Sequence, residues 1–362
     1  MKIKSIRLGI IKIPLRRPFK TALRTVYNVE DVIVRIETDC GLVGYGEAPP
    51  TGVITGDTTG AIIGAINDHI SKAIIGMDIL DYEDVMKALN KSVVHNSSAK
   101  AAVDIAIHDI YAQSFNVPLF RLLGGSKKHI ETDITISVNS PQEMVDDSIS
   151  AINEGYTTLK IKVGKDSSKD IERIKAIRRA IGYDVNIRID ANQGWTPKEA
   201  IRTIRKMEDE GLCLELVEQP VLAHDLKGLK LVTDNVDVPI LADESVFSPL
   251  DAMKIINMGA ADLINIKLMK TGGIYNAIKI ADMASLYNVE CMIGCMLESK
   301  LSVTAAVHLA AARGIITKVD LDGPVLLKED PIKGGASFNF SKITLDESIG
   351  LGFREVNNVD YF

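Results

Sequence analysis

Thr157-Thr158-Leu159-Lys160-Ile161-Lys162-Val163-Gly164 places two lysines around one isoleucine in a β-branched, apolar run. Side chains alternate between the faces of a strand, so Lys160 and Lys162 share one face and Leu159, Ile161 and Val163 take the other. If the apolar face packs under helices, both ammonium groups point into an interior, where unpaired cations are costly. The anions that could pair with them are Asp190, Glu218 and Asp243, each closing a short β-rich run. Three carboxylate oxygens on successive strands suit a hard cation such as Mg²⁺, and the lack of histidine there argues against zinc. Helix caps and surface charge are the plainer reading of any one of these acids. Lys267 ends a fourth run, Asp262–Lys267. A cation on a substrate carboxylate makes the α-proton easier to remove. Two lysines on opposite faces could then remove and return a proton, inverting the carbon. A lysine base must fall from a pKa of about 10.4 to about 7 or 8, roughly 3 to 5 kcal/mol of bias, and repulsion by Lys160 could supply part of it.

The elements that must position these groups recur at unit length. Taking one residue near the end of each β-rich run, Thr135, Lys160, Asp190, Glu218, Asp243, Lys267, Cys295 and Asp320, the spacings are 25, 30, 28, 25, 24, 28 and 25. Eight strands separated by helix-sized gaps predict a (β/α)₈-type barrel, whose active sites form at the C-terminal ends of the strands. Lys162 and Lys267 then lie four strands apart, on opposite walls. The segments 170–181, 197–210 and 274–287 read as connecting helices, and nothing convincing follows the last strand. Upstream, Ile3–Leu15, Asp31–Glu37 and Leu42–Ala48 read as antiparallel strands, with a hairpin turn at Asp39-Cys40-Gly41. Arg16–Thr25 is too polar and irregular for a strand and is expected to be a mobile loop. Residues 49–57 read as a second loop, 58–123 as helical, and 331–362 as extended chain returning to the N-terminal part.

The 362 residues suffice for one barrel and a smaller partner domain, and the net charge of −6 leaves no basic footprint for nucleic acid. No apolar run approaches the ~18 residues that span a bilayer. Lys12, Pro14, Arg16 and Arg17 break any signal-like core, so no membrane association and a cytoplasmic location are expected. Cys40, Cys213, Cys291 and Cys295 show no metal-binding spacing and read as free, mostly buried thiols. Gly44-Tyr45-Gly46 lacks the third glycine of a nucleotide loop. The six histidines read as structural.

The set Lys160-Ile161-Lys162, Asp190-Ala191-Asn192, Glu218-Gln219-Pro220, Ala242-Asp243-Glu244 and Asn265-Ile266-Lys267 resembles the muconate lactonizing enzyme subgroup of the enolase superfamily. The metal-plus-lysine chemistry of that superfamily is a known pattern. The resemblance implies an α/β fold: a capping domain over 1–125, a (β/α)₇β barrel over 126–325, and a segment 326–362 returning to the cap. The seventh strand ends Gly294-Cys295-Met296 without histidine, which separates the chain from the mandelate racemase branch. Asp320-Leu321-Asp322 resembles the DxD pattern of dipeptide epimerases, where acids hold a substrate amine. Thr21–Tyr27 and Ile54–Asp57 are similar to the loops of L-Ala-D/L-Glu epimerases, which gives Arg24 a glutamate side chain to pair with.

The resemblance thus implies Asp190, Glu218 and Asp243 as Mg²⁺ ligands, Lys162 and Lys267 as the acid/base pair, and Lys160 as an enolate stabiliser. It implies Asp320 and Asp322 on the amine, Arg24 on the side chain, Thr135, Cys295 and Leu297 lining the pocket, and Asn192 and Glu244 as orienting neighbours. The expected substrate is a dipeptide, L-Ala-L-Glu first. An o-succinylbenzoate synthase or cycloisomerase on the same scaffold, a Schiff-base aldolase, and a non-catalytic metal-binding barrel stay open. Self-association, common among such barrels, is left open as well.

Overall fold

The computed structural model describes residues 1–21, 25–164 and 166–362. Eight parallel strands stand side by side in chain order: Ile134–Ile136, Thr158–Lys162, Asn186–Asp190, Leu214–Glu218, Ile240–Ala242, Leu263–Lys267, Glu290–Gly294 and Ile316–Asp320. Asp133 N donates to Val319 O at 3.3 Å and Leu321 N to Thr132 Oγ1 at 2.8 Å, drawing the last strand against the first. The barrel is nearly closed. The strand ends lie within three residues of the sequence reading, and the helices Ser167–Ile181, Pro197–Asp209 and Ile274–Leu286 stand where periodicity placed them. After the last barrel strand the one helix among the described residues is the short Gly323–Leu326, followed by short strands from Ile332–Gly334 to Asp360–Tyr361.

Alternation within these strands does what the sequence implied. Leu159, Ile161, Ile187, Ile189 and Val217 face the helices in the main apolar core. Inside the barrel, Leu216, Leu241, Leu263 and Met292 form a separate apolar plug. Arg188 adjoins it, tied to Asp133 at 2.8 Å and Glu215 at 2.6 Å.

The cap begins with an antiparallel sheet of Ile3–Lys20, Thr25–Thr38 and Val43–Ala48, with Asp360–Tyr361 added beside the first strand. Helix Ser97–Ser114 lies on its inner edge, and a Cβ on Gly44 or Gly46 would overlap the carbonyl oxygens of Ala106 or Ala102. Close approach explains the Gly-Tyr-Gly run without any nucleotide. Between them, residues 59–74 are helical with one π-turn, and 82–91 form a further helix. His108 and His308 are buried, each hydrogen-bonded into the frame: His108 to Asp104 O and Tyr82 Oη, His308 to the Phe120 amide.

Two expectations are corrected. The stretch 16–20 continues the first strand, pairing Phe19 with Val26 and Lys20 with Thr25 after an irregularity beyond Pro14. Its polar side chains are spent outward and on the barrel: Arg16 reaches Leu327 O, Arg17 reaches Asp147, and Lys20 reaches Asn139 at 2.9 Å. That polarity hid the strand pattern. The cysteines are free, but Cys40 and Cys213 are exposed, because Cys40 sits in a turn and Cys213 in the link just before Leu214–Glu218.

Candidate active site

Parallel register sets the chemistry at one height. Lys162, Asp190 and Glu218 are successive partners across the second, third and fourth barrel strands. Lys267, Gly294 and Asp320 are successive partners across the sixth to eighth. Asp243 follows directly on Ile240–Ala242. The two lysines thus stand on opposite walls, each almost wholly buried.

Their ammonium groups lie among the carboxylates. Lys162 donates to Asp190 Oδ2 at 2.6 Å. Lys160 donates to Asp320 Oδ2 at 2.6 Å and stands 2.7 Å from Glu218 Oε2 and 3.3 Å from Asp190 Oδ2. Lys267 donates to Asp243 Oδ2 at 2.8 Å, and Lys270 touches the other oxygen of the same carboxylate. The three acids do not stand as a ready-made cage: among the described residues no cluster of His, Cys, Asp or Glu forms a metal centre as it is. The donor set nevertheless fits a hard cation. Glu244 Oε2, Asn192 Oδ1 and Asn265 Oδ1 are buried oxygens that accept no hydrogen bond, and Glu218 Oε2 and Asp243 Oδ1 are met only by the ammonium groups of Lys160 and Lys270. Buried acceptors left in that state are costly, and a divalent cation would satisfy them.

Charge distribution follows these contacts. Burial pushes Glu218 up to about 8, with Asp190 adding to it. Burial would raise Asp190 and Asp243 too, but the lysines beside them win and hold both low. Burial alone would lower Lys160 and Lys267, yet the facing carboxylates raise both, Asp320 first for Lys160 and Asp243 first for Lys267. At Lys267 the repulsion of Lys160 acts to lower the ammonium, but Asp243 overrides it.

The surrounding residues fall into place. Asn192 donates its amide to Asp190 Oδ1 at 2.8 Å and its side chain to Asp190 at 3.3 Å and Glu244 at 3.4 Å. Asp322 accepts the Thr135 amide at 2.8 Å, and burial with Asp320 nearby pushes it up to about 6. Thr135, Lys160, Lys162, Asn192, Lys267, Cys295, Leu297, Asp320 and Asp322 all line one cavity, closed from the cap side by Phe19, Thr21, Val53 and Ile54. Arg24 lies outside the described residues.

Sequence reasoning missed Lys270, and named Asn265 and Gln219 only within motifs, without a role. Lys270 sits one turn past Lys267, a spacing that returns its side chain to the same strand end. Asn265, two residues before Lys267 and so on its face, donates to Glu218 at 2.8 Å. Gln219 accepts the amides of Asp243 and Ser245 at 2.9 and 3.2 Å from a left-handed backbone, φ 36°. Strained residues of this kind gather at sites that need fixed geometry.

A barrel of this order with acids and opposed lysines at its strand ends defines a class. Residues 6–124 match the mandelate racemase/muconate lactonizing enzyme N-terminal domain, and residues 143–357 match the enolase C-terminal domain-like family. The chain belongs to the mandelate racemase/muconate lactonizing enzyme group of the enolase superfamily. It is 60% identical over 358 residues to an L-Ala-D/L-Glu epimerase of Clostridium acetobutylicum, covering 99% of this chain and all of that one. The substrate-liganded structure of the Bacillus subtilis L-Ala-D/L-Glu epimerase superposes with a TM-score of 0.96 at 52% identity, covering 98% and 99% of the two chains. An Enterococcus faecalis dipeptide epimerase, solved with Mg and L-Leu-L-Tyr, superposes at 0.95 with 43% identity over 98% and 100%.

Proposed function

We propose that this protein is a Mg²⁺-dependent dipeptide epimerase that inverts the α-carbon of the C-terminal residue, L-Ala-L-Glu to L-Ala-D-Glu. One observation carries the reading: Lys162 and Lys267 face each other from opposite walls across a cluster of buried carboxylates. The relatives named above act on, or were solved with, dipeptides, which supports the substrate class.

Asp190, Glu218 and Asp243 would hold the cation, which when bound supplies Lewis-acid polarisation of the substrate carboxylate and draws acid charge away from the lysines. Lys162 and Lys267 then exchange protons with the α-carbon from its two faces. Lys160, paired here with Asp320, holds developing negative charge beside Lys162. Asp320 and Asp322, at the eighth strand, receive the substrate amine, and Cys295, Leu297 and Thr135 bound its first residue. Arg24 pairs with the glutamate carboxylate. Such dipeptides arise from cell-wall peptides, so we place the reaction in their metabolism, in the cytoplasm. No described helix is long and apolar enough to cross a membrane.

The test is L-Ala-L-Glu with enzyme and Mg²⁺ in D₂O, read by NMR at the glutamyl α-position and by chiral analysis. Deuterium uptake with appearance of L-Ala-D-Glu, stopped by a chelator and restored by Mg²⁺, is expected. Absence of exchange with this and other dipeptides would overturn the reading.

A further inference from the structure

The turn after the seventh barrel strand has two sides. Cys295, Met296 and Leu297 line the cavity beside Asp320 and Asp322. Leu297 also packs with Ile11, Ile13 and Ile33 of the cap sheet. Glu298, next in the chain, is buried at 3% exposure, and Glu47 of the cap strand Val43–Ala48 is wholly buried beside it. Glu47 Oε1 accepts the Ser299 amide at 2.9 Å, and its Oε2 accepts the Ser299 hydroxyl at 2.9 Å, the Ser302 amide at 3.0 Å and the Ser302 hydroxyl at 2.8 Å. Glu298 Oε1 accepts the Met296 amide at 2.6 Å, while its Oε2 closes on the same Ser302 hydroxyl.

A serine hydroxyl carries one hydrogen. Placed between two carboxylate oxygens it can donate to only one, so the other must bring a proton of its own. Glu47 has two amides and a second hydroxyl, and it caps the 13-residue helix Lys300–Ala312, whose dipole favours an anion there. Its neighbour has one amide. The proton therefore belongs to Glu298, and the chain runs from the Glu298 carboxyl to the Ser302 hydroxyl to the Glu47 carboxylate.

We infer that Glu298 is a positioning residue that works as a neutral acid, its proton fastening the cap strand to the turn that forms the pocket wall. The groups facing it agree. Burial pushes its carboxyl up to about 7, Glu47 adding to it, against the hydrogen bonds of Ser302 and the Met296 amide and the pull of Lys267, and the Cys295 thiol beside it is held uncharged by burial. Losing the proton leaves two carboxylates across one hydroxyl, and the fastening opens.

The test compares wild type with Glu298→Gln, whose amide can donate to Ser302 and accept from Met296 without titrating. Hydrogen–deuterium exchange of residues 295–302, corrected for intrinsic rates, is followed from pH 6 to 9 in the Mg²⁺-loaded protein without substrate. Wild-type protection should fall by up to about tenfold per pH unit above neutrality, and that of Glu298→Gln should stay flat. Matching profiles would overturn the inference. If Glu298→Gln does not fold, Ser302→Ala decides: with the hydroxyl gone, exchange should be fast at every pH, and a wild-type profile would refute the link. A KM for the dipeptide that rises with pH in wild type alone, at constant kcat, is the catalytic counterpart. That arm rests on the epimerase reading, while the exchange arm stands without it.

Discussion

Gly294→Ala isolates one wall of the site. Gly294 closes the seventh strand between Lys267 and Asp320. A Cβ added there would stand 2.9 Å from Lys267 Cε and 3.0 and 3.1 Å from the carboxamide atoms of Asn265. Carbon contacts settle at about 3.5–4.0 Å, so these side chains must retreat by about 0.5–1 Å. Gly294 is not among the residues with positive φ, and only side-chain atoms crowd the new methyl. Folding should therefore lose only about 1–2 kcal/mol, within the usual range for overpacking. A 1 Å misplacement of a reacting group costs about 10²-fold in rate, or about 2.7 kcal/mol of barrel-side transition-state stabilisation. Lys162 on the opposite wall keeps its place. At saturating Mg²⁺, α-proton exchange in D₂O should fall 10- to 100-fold from one epimer of the dipeptide and much less from the other, with urea unfolding nearly unchanged. Full activity with full stability would mean that Lys267 does not work from that wall. Equal losses from both epimers would refute the assignment of one lysine to each face.

Single substitutions Lys162→Ala and Lys267→Ala should each abolish exchange from a different epimer while the fold persists, and NMR in D₂O separates them. Arg188→Met removes the partner of Asp133 and Glu215 and leaves a wholly buried acid unpaired. Urea unfolding should show a loss of about 3–5 kcal/mol, while kcat per folded molecule stays unchanged. Asp109, buried and accepting the Leu351 amide at 2.8 Å, is pushed up to about 6 by burial. The folded state then holds a proton that the unfolded chain, with a pKa of about 3.9, has released, so wild-type stability declines as pH rises through about 4 to 6. Asp109→Asn escapes this, and its stability relative to wild type should improve by about 2 kcal/mol between pH 4 and 7, read from denaturation at the two values.

The sequence by itself carried the barrel and the level of its chemistry. Strand alternation is local, so Lys160 and Lys162 had to share a face, and strand ends spaced by 24 to 30 residues had to gather at one rim. The end of the cap hairpin was not legible. Arg16, Arg17 and Lys20 look like loop residues until Leu327, Asp147 and Asn139, far away in sequence, are brought against them. Only tertiary structure decided which ammonium meets which carboxylate. It brought Lys160 to Asp190, Glu218 and Asp320 together, set Lys270 against Asp243, and faced Glu47 with Glu298 across a single hydroxyl. Residue spacing fixes the face from which a side chain leaves its strand. Its charge and proton depend on distances of a few ångströms to groups dozens or hundreds of residues away, and those exist only once the chain has closed.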